Sequence, residues 1–191
     1  MSAHSFDLSA AAFTEMVRQG FHPDFPTGSE EQVERIRDAK PESPGGEVRD
    51  LQGLFWSSID NDTSRDLDQV EFAERVDGGI RVLIGVADVS GSVEKNSPLD
   101  RHAADQTKTI YTAVRNFPML PNELSTDMTS LNEGVDRAAV VSEFVVDPKG
   151  CLTQQKIYRA VVHNRAQLAY SKVGPWLEGK AEPDAKVAAS G

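Results

Sequence analysis

Between Ser58 and Phe72 the chain reads SIDNDTSRDLDQVEF, which sets Asp60, Asp62, Asp66, Asp68 and Glu71 within one short stretch. Carboxylates at this density repel one another, so a fold that gathers Asp60, Asp66 and Asp68 either raises a pKa or recruits a cation. Asp66 and Asp68 are two residues apart, and an extended backbone would point both side chains to one face. A turn through Asn61-Asp62-Thr63-Ser64 could bring Asp60 back beside them. Hard oxygen donors of this kind suit magnesium, which takes a few carboxylates, keeps several waters and completes its shell with substrate phosphate.

Two other readings of the same residues stand beside this one. Counted as a calcium loop from Asp60, the chain places Asp62, Ser64, Asp66, Asp68 and Glu71 at the ligand positions. That loop needs a glycine where Arg65 stands and a helix on each side, whereas the residues after Asp68 read as a strand. The third reading is a solvated acidic loop, which charge runs usually are. Elsewhere, Asp88 ends an apolar strand, where either a functional acid or a turn aspartate fits. His102 and His163 have no partner at metal-ligand spacing, and Cys151, beside Gly150, has no activating base.

The elements that must hold the acidic residues can be read from pattern. Asp7 or Ser9 can cap a helix that Gly20 ends, and Ser29 with Gln32 has the form of a capping box opening SEEQVERIRDA. The linker Pro41–Gly46 separates a helical lead, residues 1–45, from the remainder, 46–191. Asp77-Gly78-Gly79 turns a hairpin between the strand at Val70 and the run Ile80–Val86. A helix is expected over Ser97–Val114, then a rigid Asn116–Pro121 segment with two prolines. A second hairpin is expected from Ala139 to Val162, turning at Asp147–Gly150, and a frayed tail after Pro175. The fold class is α+β, mixed, with largely antiparallel strands flanked by helices.

At 191 residues the chain is long enough for one domain with a proper core. No apolar run approaches the ~20 residues that span a bilayer, so no membrane partner is expected. A single cysteine excludes an internal disulfide and a cysteine-based zinc cluster; with no readable secretory signal, the cytoplasm is the expected location. The formal net charge of −10 repels nucleic acid on average, so a polyanionic substrate would have to be held by local basic residues or by bound cations.

Further landmarks follow the acidic stretch in a fixed order: Gly85-Val86-Ala87-Asp88-Val89-Ser90, Ser97-Pro98-Leu99-Asp100, Tyr111, Phe117-Pro118-Met119-Leu120-Pro121, Leu124-Ser125, Ser130-Leu131-Asn132, Asp136-Arg137 and Leu168-Ala169-Tyr170. Together they resemble the catalytic (RNB) domain of the ribonuclease II / ribonuclease R family, over about Gly20 to Lys172. The resemblance implies the N-terminal portion of that domain in a magnesium-dependent exoribonuclease that degrades single-stranded RNA from the 3′ end to nucleoside 5′-monophosphates. It places the family's acidic motif on Asp60, Asp66, Asp68 and Gln69, with Asp60, Asp66 and Asp68 catalytic and all four around the metal. Gln69 stands where the family has a fourth aspartate; its amide offers a carbonyl oxygen but no charge.

By the same resemblance Tyr111 stacks on the 3′-terminal nucleotide; Arg137, after Asp136, is read from its own chemistry as holding a loop, with contact to RNA phosphate as the other role. The family's domain continues well beyond the matched part and carries further RNA-gripping residues, so the partners implied are single-stranded RNA and the remaining half of the catalytic domain. The alternative is a non-catalytic RNB relative, or a cation-binding module, in which Gln69 marks decayed chemistry.

Overall fold

The computed structural model describes residues 6–39 and 47–189, so the expected linker at Pro41–Gly46 lies outside the described residues. The chain forms two compact units. The first is built from the segment ending at Lys40 together with Val93–Leu124, and the second from Pro41–Ser92 with Ser125–Gly191.

In the first unit, helix α1 (Leu8–Arg18) is capped by Asp7, whose carboxylate accepts the Ala10 N–H at 3.0 Å. Helix α2 (Ser29–Asp38) departs from the expected capping box. Its N-cap is Gly28, in the left-handed region, and Ser29 is already helical. The Gln32 amide is engaged elsewhere: it donates to Ser97 Oγ at 2.8 Å and accepts from Leu99 N at 3.2 Å, tying α2 to the segment that opens the next helix. Helix α3 spans only Pro98–Gln106, with Ser97 as its cap and Pro98 in the first turn. The expected helix to Val114 stops at Thr107 (φ 60°), because β-branched Thr107, Thr109 and Ile110 are stiff, weak helix formers. Strands β5 (Ile110–Tyr111) and β6 (Asn116–Phe117) form a small hairpin in their place.

The second unit holds the main sheet, ordered β1-β8-β2-β3-β4-β7. Its strands are β1 (Val48–Asp50), β2 (Trp56–Asp60), β3 (Gln69–Val76), β4 (Gly79–Ala87), β7 (Asp136–Val146) and β8 (Leu152–Ala169). An additional β7–β8 pairing joins the ends, closing five of the six strands into a ring. Most pairs are antiparallel, while β1 and β2 run parallel to β8. Both expected hairpins are present. Asp77-Gly78 links β3 to β4, with Gly78 at φ 90°, and the Asp147 carboxylate caps the β7–β8 turn by accepting from Lys149 and Cys151.

Alternation along the strands fills the ring. Trp56, Val70, Leu83, Ala139, Val141, Ala160 and Val162 are buried together with Leu67 and Leu131. Gly85 sits in close packing: a Cβ there would stand 3.1 Å from Val70 Cγ2, which would have to give by a few tenths of an ångström, and in ordinary contact with the Trp56 ring at 3.7 Å. Beyond β8 the chain forms α4 (Tyr170–Leu177) and a short α5 (Ala185–Ala188), where a frayed tail was expected. Among the described residues no helix is long and apolar enough to cross a membrane.

Candidate acidic metal site

Asp60 is the last residue of β2, paired with Ala169 of β8, and its Oδ1 accepts the Asn61 N–H at 2.7 Å. The turn that follows is closed by Ser64 N–H donating to Asn61 O. The chain then runs through Arg65–Asp68 without regular structure and enters β3 at Gln69, which pairs with Val86. Leu67 is 1% exposed and belongs to the core, which anchors the segment between the two aspartates that flank it.

The electrostatics show which acids share a field. The Asp68 carboxyl is raised above its ordinary value, first by desolvation and then by the negative charges of Asp66 and Asp60. Asp68 keeps an exposed surface, while Asp60 and Asp66 are half-buried. Asp62 points away from the three: it accepts the Ser171 hydroxyl at 2.8 Å and lines a separate hollow with Glu133, Gln167 and Lys172. Glu71 is apart from them too. It lies on β3 opposite Ser57 and Ile84, with Oε2 buried without a hydrogen-bond partner and its pKa raised by desolvation. Strands flank the acidic stretch on both sides, so the calcium-loop reading fails on context.

Among the described residues no group of three or more His, Cys, Asp or Glu side chains is drawn tightly enough to enclose an ion as it stands. The donor chemistry nevertheless fits a hard divalent cation: three carboxylates that repel one another, at least one raised in pKa by the others, beside an exposed carboxamide at Gln69. A cation between them would relieve that repulsion.

The remaining expected residues are placed as follows. Tyr111 lies on β5 in the first unit and is 63% exposed. Arg137, near the start of β7, directs its guanidinium at main-chain carbonyls: Nε to Ser130 O at 3.1 Å, Nη2 to Asp127 O at 3.0 Å and Nη1 to Asp136 O at 3.3 Å. It therefore holds the segment after the π-helical turn Leu124–Met128. Asp88 is buried, accepting the Ser90 hydroxyl at 2.6 Å and ion-paired with Arg159 at 3.1 Å, as suits a strand-end turn. His102 packs against the Phe25 ring at a tilt of 48°, His163 meets Asp136 at 2.6 Å, and Cys151 is exposed.

Sequence reasoning assigned no role to Ser58 or Asn164 and used Ser130 only as a landmark, yet all three are buried polar residues hydrogen-bonded around the site. The signal available for them was local: a serine two residues before Asp60, and an asparagine inside an otherwise apolar strand.

The ring of largely antiparallel strands with an acidic loop between two of them finds its match among known proteins. The RNB domain family matches residues 48–190, and the chain belongs to that family. Over 156 residues, 81% of this chain and 19% of the relative, it is 38% identical to Ribonuclease R of Escherichia coli (strain K12). It is 34% identical to Exoribonuclease 2 of Cronobacter sakazakii over 70% of this chain and 21% of that protein. Among solved structures it matches Mycoplasma genitalium RNase R in complex with double-stranded RNA, with a TM-score of 0.80 and 28% identity over 88% of this chain and 30% of that one. The chain thus spans about a fifth of the length of these curated relatives. Yeast Ssd1, a pseudonuclease, shares the fold at 12% identity and a TM-score of 0.62, covering 85% of this chain and 24% of its own.

Proposed function

We propose that this chain is the acidic, metal-binding portion of a magnesium-dependent exoribonuclease that removes nucleotides from the 3′ end of single-stranded RNA and releases nucleoside 5′-monophosphates. The observation that carries the reading is the Asp68 carboxyl raised by desolvation and then by the charges of Asp66 and Asp60, on a loop whose intervening Leu67 is locked in the core. Support also comes from relatives named Ribonuclease R and Exoribonuclease 2.

Phosphodiester hydrolysis needs an activated water and stabilisation of the charge that grows on the phosphate. Bound Mg2+ would supply both, by Lewis-acid polarisation and by lowering the pKa of a coordinated water. Asp60 and Asp66 supply anionic oxygens to hold it, and Gln69 a neutral one. Asp68 has the role most sensitive to substitution. Its carboxylate would accept a hydrogen bond from the attacking water, orienting it, and would also touch the cation. Tyr111, on its exposed strand, presents a ring on which a terminal base can stack without being identified.

The partners proposed are single-stranded RNA and the rest of the catalytic domain. For the second, the outer face of the ring offers apolar surface: Ile80 is 43% exposed, Val86 48% and Ile157 77%. One exposed cysteine and the absence of others suit a reducing cytoplasm.

A second reading, a non-catalytic RNB relative, is favoured by Gln69, which removes one charge from the acidic group. A pseudonuclease with the same fold shows that the fold alone does not confer catalysis. Exchange of Asp68 for Asn in the full-length protein separates the two. The first reading expects RNA degradation to be abolished with RNA binding retained; unchanged function would support the second.

A further inference from the structure

The three carboxylates sit on two different stretches of backbone, the end of β2 and the irregular segment Arg65–Asp68, and repulsion acts to spread them. Something uncharged has to hold those stretches at a fixed spacing. Ser130 is 1% exposed, and its Oγ accepts the Leu67 N–H at 3.0 Å while lying 3.1 Å from Arg65 O and from Asn132 Oδ1, to one of which it donates. The next residue completes the grip: Leu131 N–H donates to Leu67 O at 2.8 Å. Both peptide groups of the residue between Asp66 and Asp68 are therefore fixed by Ser130 and Leu131.

The other stretch is tied to the same point. Asn164, also 1% exposed, donates from Nδ2 to Leu131 O at 2.8 Å and to Ser58 Oγ at 3.0 Å. Ser58 lies on β2 two residues before Asp60, so a continuous buried path runs Ser58–Asn164–Leu131–Leu67 between the two carriers of the acids. Arg137 steadies it from outside by donating to Ser130 O.

We propose that Ser130 and Asn164 are positioning residues of the acidic site, setting the separation of Asp60 from Asp66 and Asp68 without adding charge to it. The inference rests on the magnesium reading above. Mg2+ demands near-ideal octahedral geometry, so a small slippage between the two stretches loosens binding, and residues that orient ligands typically change metal affinity by about 10–100-fold when removed.

The test uses the full-length protein and Mg2+ alone, followed by isothermal titration calorimetry without RNA, with a thermal melt of each variant. Ser130→Ala is expected to weaken Mg2+ binding about tenfold. Val145→Ala, a buried change near the β7–β8 turn, is expected to lower the melting temperature and leave Mg2+ affinity as in the wild type. Ser130→Cys keeps the volume but hydrogen-bonds weakly; its intermediate loss carries the test should the alanine variant fail to fold. A folded Ser130 variant with wild-type Mg2+ affinity, or an equal loss in Val145→Ala, overturns the positioning role alone. Wild-type protein that binds no Mg2+ overturns the metal reading, and this inference with it.

Discussion

Replacing Asp68 by Asn removes one negative charge while keeping the size of the side chain, and the structure sets the sign of its effect on stability. The Asp68 carboxyl is raised above 3.8 in the fold by desolvation and by Asp66 and Asp60, so the folded chain binds that proton more readily than the unfolded one. Stability is therefore highest below the unfolded value and falls as pH rises through the raised folded value. Near neutral pH the wild type carries the full cost and the Asn variant carries none. Because Asp68 is exposed, screening limits the repulsion to the scale of surface charge pairs, ~0.2–1 kcal/mol, or roughly 0.4–4 °C in Tm for a chain of this size. Mg2+ reverses the order. At a concentration roughly 100-fold above Kd it adds about 2.7 kcal/mol to the wild type, and little to a variant that has lost a ligand. Thermal melts by circular dichroism, in EDTA and in excess Mg2+, read both effects. An Asp68→Asn protein that melts below the wild type in EDTA, or that gains as much from Mg2+, would refute the reasoning.

Other substitutions probe other parts of the account. Gln69→Asp restores a charged oxygen at the entrance to β3 and is expected to tighten Mg2+ binding, read by the same calorimetry; weaker binding would exclude Gln69 from the metal's surroundings. Tyr111→Ala is expected to cost ~1–3 kcal/mol in single-stranded RNA affinity with Tyr111→Phe near wild type, measured by fluorescence anisotropy. Glu143 is buried on β7; against a desolvation that raises it, hydrogen bonds from Arg81 and Tyr158 hold its pKa at about 2. That stability is present above pH 4.5 and is lost as pH falls from there toward 2, so Glu143→Gln should cost on the order of 2 kcal/mol at neutral pH and flatten the acid limb of a denaturation profile.

What could be read from the sequence was whatever local chemistry decides. The Asp77-Gly78 turn and the Asp147 turn follow from φ preferences and turn chemistry, and both are present. The capping box at Ser29 failed because Gln32 is claimed by Ser97 and Leu99, residues far along the chain that local pattern cannot supply. The helix beyond Gln106 failed because its polar composition hid a β-branched run. Ring closure depends on β8, an 18-residue strand that pairs with β7 along its first part, where β1 lies on its other edge, and with β2 along its last part, and no local signal encodes such non-local pairing. Asn164 was invisible for a related reason: a buried polar residue on a strand shows its role only when its partners, Ser58 and Leu131, are known.

The central claim is tested most directly by digesting 5′-labelled single-stranded RNA with the full-length protein, in Mg2+ and then in EDTA, and reading the products on a gel. A magnesium-dependent 3′ exoribonuclease shortens the RNA stepwise from the 3′ end, EDTA stops it, and Asp68→Asn lacks it. RNA left intact by the wild type in Mg2+, or shortened equally in EDTA, would contradict it.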